Sequence, residues 1–274
     1  MKIQFLGTAA AEGWPALFCE CEACRKAREL GGKNIRRRCA YLLDDDTMVD
    51  YGPDIYWQSV EFGIRLEKIR RIFISHSHID HLVPFELQWR RKGFSSARTP
   101  LKLFADQVAL DKITTTPGME NPADYLVDLA LVEPGNTVTD GDITAFAILA
   151  DHAQPPEKPV NYVIQRGGVK ALIGHDSGWW PEESWQMLQK FKIDILVLEC
   201  TYGVRWPDQR LKHMGANVTV ETRDELLKRG ILKDDAIMVT THFSHNTQNL
   251  HEELEEFFVP KGIQVAYDGL IVER

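Results

Sequence analysis

The chain is expected to fold as a layered α/β (α+β) protein in which helices cover sheets. Three observations predict it. Short apolar runs rich in β-branched residues recur along the whole length, amphipathic stretches of helical spacing fall between them, and histidines and aspartates gather where the apolar runs stop. No Gly/Ser/Pro-rich linker, internal repeat or low-complexity tract divides the 274 residues. Residues 1–274 therefore read as a single domain with a substantial core.

The first strand is read at 2–6, where Lys2-Ile3-Gln4-Phe5-Leu6 alternates polar and apolar. This start has no long apolar segment with a small-residue cleavage site, so a cytoplasmic protein is expected. A helix follows over 22–30, then strands at 39–43, 47–50 and 69–74. Leu82, Phe85 and Trp89 recur at helical spacing, which predicts a helix over 81–92 with Pro84 in its first turn. Further strands are read at 101–105, 142–149, 161–166, 169–174, 193–199, 235–241 and 263–267. Helices are read at 106–113, 181–190, 219–229 and 247–258. The stretch 114–140, with Pro117, Pro122 and Pro134, reads as a loop shaping the mouth of a pocket. No apolar stretch is long enough to span a bilayer, and no membrane partner is expected.

Formal net charge is −8, from 32 Lys plus Arg against 40 Asp plus Glu. That balance disfavours a nucleic-acid partner, because phosphate backbones are held chiefly by Lys and Arg. The basic runs Arg36-Arg37-Arg38 and Arg90-Arg91-Lys92 read as solvated faces.

The sharpest chemical signal is His76-Ser77-His78-Ile79-Asp80-His81, four metal-binding side chains directly after the strand at 69–74. His76 and His78, two apart in extended backbone, project the same way and can share one ion. Asp80 and His81, at the expected start of the helix, point toward a second. Further candidates sit where later strands end: His152 after 142–149, Asp176 after 169–174 and His242 after 235–241. Loops converging on one rim of a sheet are a common place for an active site.

Together with the strand-ending Asp50-Tyr51-Gly52, these residues resemble in order and spacing the ligand set of the metallo-β-lactamase superfamily. The resemblance implies an αβ/βα sandwich with two divalent ions, Zn or Mn, between the sheet edges. It implies that His76, His78 and His152 hold one ion, that Asp80, His81 and His242 hold the other, and that Asp176 bridges them. Such a pair acidifies a bound water, so a hydroxide is available near neutrality for hydrolysis. His175 is left to packing or hydrogen bonding around the ligands.

Cys19-Glu20-Cys21-Glu22-Ala23-Cys24 places three thiols in six residues, which in a cytosolic chain reads as metal binding. Cys39 and Cys200 read as ordinary buried residues. The string from Phe5 to Pro15 followed by C-x-C-x-x-C resembles the PhnP-type phosphodiesterase branch. That resemblance implies a structural zinc at Cys19, Cys21, Cys24 and His245, the last standing three residues after His242.

His213, in Lys212-His213-Met214-Gly215, resembles the histidine that superfamily phosphodiesterases place near the leaving group, although Lys212 stands where that element has Gly. The expected activity is hydrolysis of a small, cyclic or nucleotide-like phosphate ester, with Asp80 and His213 as catalytic side chains. The alternatives are a tRNA 3′-processing nuclease of the same superfamily, whose basic RNA-gripping arm is not visible here, and a metal-dependent binding scaffold without turnover. A homodimer is left open as the assembly, and His251 on the 247–258 helix is expected to be structural.

Overall fold

A computed structural model describes residues 1–96 and 99–274. In its first half, strands β1 (Lys2–Gly7), β2 (Ala40–Leu43), β3 (Thr47–Val49), β4 (Arg71–Phe73), β5 (Leu101–Ala105) and β6 (Val127–Leu131) build one sheet. In its second half, β7 (Thr137–Asp140), β8 (Ile143–Leu149), β9 (Val160–Arg166), β10 (Val169–Gly174), β11 (Ile193–Glu199), β12 (Leu232–Thr241) and β13 (Gln264–Val265) build another. The last strand, β14 (Ile271–Glu273), returns to the first sheet beside β1. Each sheet has seven strands, ordered β14-β1-β2-β3-β4-β5-β6 and β13-β12-β11-β10-β9-β8-β7. Strands β3 to β6 run parallel, as do β10 to β13, and the remaining pairs are antiparallel.

Alternation along the strands makes the layers. Ile3, Phe5, Tyr41, Val49 and Phe73 face the second sheet, where Ala145, Tyr162, Ile173 and Val197 meet them in one buried cluster. Phe73 stacks on Phe104 at 4.7 Å between ring centroids, and Tyr162 donates to the Ile74 carbonyl at 2.8 Å. The alternate residues Leu42, Met48, Ile72 and Leu103 turn outward against helices α2 (Ile55–Glu61) and α3 (Gln107–Thr115). On the far side, Val163, Leu172 and Leu196 pack under α1 (Glu22–Leu30), α4 (Glu182–Leu188), α5 (Ala216–Lys228) and α6 (His251–Phe258). Helix, sheet, sheet and helix layers make the expected αβ/βα sandwich.

Several local readings differ from the structure. Helix 81–92 is instead a 3-10 turn over Pro84–Arg90. Val83 is extended at φ −116°, as a residue before proline prefers, so the helix cannot begin until Pro84. Asp80 and His81 therefore sit on a turn, closed by the His81 and Leu82 amides donating to the His78 carbonyl. The 247–258 helix begins only at His251, after Gln248 enters the left-handed region at φ 61°. Helix α2 was not foreseen, because Tyr56, Trp57 and Val60 are exposed and blur its periodicity. The 114–140 stretch supplies the edge strands β6 and β7, one to each sheet, and does not line the cavity over the candidate ligands.

Gly52 fixes how closely the metal-motif loop approaches β3. A Cβ there would lie 2.0 Å from the Asp80 carbonyl oxygen. Gly52→Ala is expected to displace that loop at a cost of roughly 3 kcal/mol, read as a lower urea midpoint. An unchanged midpoint would contradict the close approach.

Candidate metal centre

The candidate ligands stand on loops leaving the carboxyl ends of strands from both sheets. Asp50 follows β3, His76 follows β4, His152 follows β8, Asp176 follows β10 and His242 follows β12. His76, His78 and His152 bring three ring nitrogens together, and Asp80, His81, Asp176 and His242 bring four donors together, each set within 4.8 Å. Asp176 stands between the two sets. Its Oδ2 lies 3.5 Å from His76 Nε2, 3.8 Å from His152 Nε2 and 2.7 Å from His81 Nε2, while its Oδ1 lies 3.0 Å from His242 Nε2. Asp50, Asp176 and His242 all adopt positive φ, between 49° and 65°, a strained setting that clusters at functional sites.

The surrounding hydrogen bonds fix which nitrogen each histidine presents. Ser75 Oγ gives its proton to Asp50 Oδ2, so it accepts from His76 Nδ1 at 2.9 Å. Thr201 Oγ1 likewise donates to the His242 carbonyl and accepts from His242 Nδ1 at 2.8 Å. Asp50 Oδ2 accepts from His81 Nδ1 at 2.6 Å, and the Lys212 carbonyl from His152 Nδ1 at 3.2 Å. With Nδ1 protonated in all four rings, each Nε2 keeps a lone pair able to bind a cation, that of His152 facing His78 Nδ1 at 3.0 Å. His175 also finds its place here, with Nε2 2.6 Å from Asp50 Oδ2. Burial would raise the Asp50 carboxyl, but His81 and His175 outweigh it and hold it below the usual carboxylate range.

The donor set fits divalent ions. His76 Nε2, His81 Nε2, His242 Nε2 and Asp176 Oδ1 are buried and reach no hydrogen-bond partner of acceptable geometry. Leaving such groups bare costs about 1–3 kcal/mol each. Imidazole and carboxylate donors around an open cavity suit Zn²⁺ or Mn²⁺.

His213 joins the rim. Its Nδ1 lies 3.0 Å from Glu199 Oε1 and 3.4 Å from Asp176 Oδ1. Burial opposes its charge, but the Glu199 and Asp176 carboxylates outweigh that and raise its pKa to about 9. Lys212 explains the departure from glycine: it takes φ 65°, where glycine is at ease, and Asp151 holds it by accepting from both its amide and its Nζ.

Glu199 is the residue the sequence reading missed. Fully buried at the end of β11, it accepts from the amides of Ser177, Thr201 and Met214 as well as facing His213. The available signal was a charged residue ending the otherwise apolar run Ile195-Leu196-Val197-Leu198. Glu199→Gln is expected to lower kcat roughly tenfold to a hundredfold with bound metal unchanged, measured by initial rates and metal analysis. An unaltered kcat would remove Glu199 from the site.

A second cluster lies apart from the rim. Cys19, Cys21 and Cys24 place their sulfurs 3.6, 3.9 and 3.6 Å from His245 Nδ1. Tetrahedral zinc, with sulfur at about 2.3 Å and nitrogen at about 2.0 Å, would separate those atoms by about 3.6 Å. The four residues therefore fit a closed zinc site. Phe243 stands between His242 and His245, under the Arg36 guanidinium at 4.6 Å from its ring centroid; Arg36 is buried, not solvated as its basic run suggested. Cys39 and Cys200 are buried elsewhere, and His251 is buried between Arg36 and Glu255, as expected.

Residues 47–243 match the family model of the beta-lactamase superfamily domain. Ribonuclease Z of Lactobacillus acidophilus is 24% identical over 160 residues, 57% of this chain and 46% of that protein. Ribonuclease Z of Enterococcus faecalis is 31% identical over 119 residues, 42% of this chain and 33% of that one. The matches thus span less than half the length of these curated relatives. Among solved structures, a diphosphatase of the PhnP family superimposes with TM-score 0.75 at 21% identity, covering 99% of this chain and 96% of that one. Zn²⁺-bound PqqB from Methylobacterium extorquens gives 0.80 at 16%, with both chains fully covered. The short form of human tRNase Z gives 0.67 at 19%, covering 100% and 99%.

Proposed function

The chain belongs to the metallo-β-lactamase superfamily, and from that premise we propose that it is a metal-dependent phosphodiesterase of the PhnP-like branch acting on a small phosphate ester. The observation that carries the reading is Asp176, whose carboxylate stands between the two donor sets, Oδ2 facing His76 and His152 of one and His81 of the other, and Oδ1 facing His242. Two divalent ions bound there would polarise the phosphoryl oxygens and acidify water toward neutrality. The Cys19, Cys21, Cys24 and His245 cluster supports the branch, as a zinc staple beside the loop that carries His242.

The chain's own residues do the rest. Asp176, Asp80 and the four oriented histidines set the positions of the charges before substrate arrives, so little reorganisation is needed during reaction. Glu199 holds His213 by Nδ1, which leaves Nε2 to give a proton to the departing ester oxygen. Donors from both sheets meet in one centre, which supports reading 1–274 as one hydrolase domain.

The test is turnover of bis(p-nitrophenyl) phosphate by metal-loaded enzyme. Hydrolysis that is lost in His78→Ala is expected; no hydrolysis by the wild type would overturn the proposal. The Ribonuclease Z relatives favour a second reading, a tRNA 3′-processing nuclease. Cleavage of a precursor tRNA ahead of the small diester would establish that reading instead.

A further inference from the structure

The cavity over the metal centre, about 310 Å³, has a composition that narrows its occupant. Beyond the candidate ligands, its walls include Glu12, Tyr202, Trp206, Ser244 and Asn246, and no Lys or Arg among the described residues. A polyphosphate or a longer nucleic-acid backbone reaching past the candidate ligands would meet no Lys or Arg on these walls, only the His213 imidazole and the Glu12 carboxylate. Two aromatic rings are there instead.

Those rings are held in place. The Trp206 amide donates to the Tyr202 carbonyl at 3.2 Å, and the Tyr202 amide to the Met214 carbonyl at 3.0 Å. Gly203 pairs with Gly215, and a Cβ on Gly215 would meet the Trp206 carbonyl oxygen at 2.0 Å. The aromatic loop is thereby seated on the segment that carries His213. Tyr202 lies 5.9 Å from the His213 ring and 6.0 Å from Trp206, edge-on to both. Trp206 remains 43% exposed, with Arg205 covering its ring at 5.0 Å. Arg205 therefore takes part of the ring surface, and the rest of Trp206 stays open to solvent where it lines the cavity. The Asn246 side-chain amide and the Glu12 carboxylate, hydrogen-bonded at 3.2 Å, add polar groups able to meet the edge of a heterocycle.

We propose that Tyr202 and Trp206 form a stacking wall for a flat, uncharged aromatic group attached to the phosphate ester, so that the substrate is a mononucleotide-like diester. The inference rests on the phosphodiesterase reading above and deepens it. Base stacking on aromatic side chains is strong enough to dominate selectivity at such a site.

Calorimetry of the metal-loaded protein with thymidine 5′-monophosphate and with ribose 5-phosphate tests it. The nucleotide is expected to bind on the order of tenfold more tightly, the preference vanishing in Trp206→Ala and surviving in Trp206→Phe. Equal affinity in the wild type, a preference that survives Trp206→Ala, or one lost equally in both variants would overturn the proposal. Hydrolysis of bis(p-nitrophenyl) phosphate is scored separately. A base preference without hydrolysis would sink the phosphodiesterase reading alone, and hydrolysis without the preference would sink the stacking wall alone.

Discussion

Asp176→Asn is expected to lower turnover of a phosphodiester by roughly a thousandfold, since bound metal contributes several kcal/mol of charge stabilisation to the reaction. The substitution keeps size and shape but removes the negative charge shared by the two donor sets. Asp176 is buried and surrounded by His76, His81, His152 and His242, so its charge would be the common counterweight for the two proposed ions. Metal content should fall with activity. A variant that keeps both metals and most of its turnover would show that Asp176 does not join the sites.

Cys24→Ser should lower the melting temperature by roughly 5–10 °C and remove one zinc per chain, because structural zinc binding adds directly to folding free energy. Burial pushes the Cys24 thiol up to about 12 without a cation. A Zn²⁺ held there would reverse that by binding the thiolate. The loss should reach the active site, since His245 and His242 are three residues apart and the Phe243 backbone pairs with Thr8 and Ala10 near the cysteine loop. Activity is expected to fall severalfold at temperatures well below the new midpoint. An unchanged melting temperature and zinc content would mean the three thiols are free.

The layers and the gathering of the candidate ligands at one rim were legible because their signals are local. The run from His76 to His81 follows an apolar strand, and the other ligands follow apolar strands of their own. Distances between those strand ends were not legible, since they depend on how two sheets face each other. Glu199 illustrates the limit: its partners Ser177, Thr201 and Met214 come from three separate loops, and only packing shows that its charge is satisfied. Helix α2 and strand β14 were missed for the opposite reason, one presenting aromatic residues to solvent and the other being only three residues long. The early start given to the helix after His81 came from reading Leu82 as helical, when it pairs with Tyr51 instead.

The account turns on where metal binds. Anomalous diffraction at the zinc edge, on crystals of zinc-loaded protein, measures this directly. It should show two peaks about 3.5–4 Å apart on either side of Asp176 and a third, separate peak enclosed by Cys19, Cys21, Cys24 and His245. A single peak at the rim, or none within reach of Asp176, would contradict the two-metal centre from which the proposed chemistry is derived.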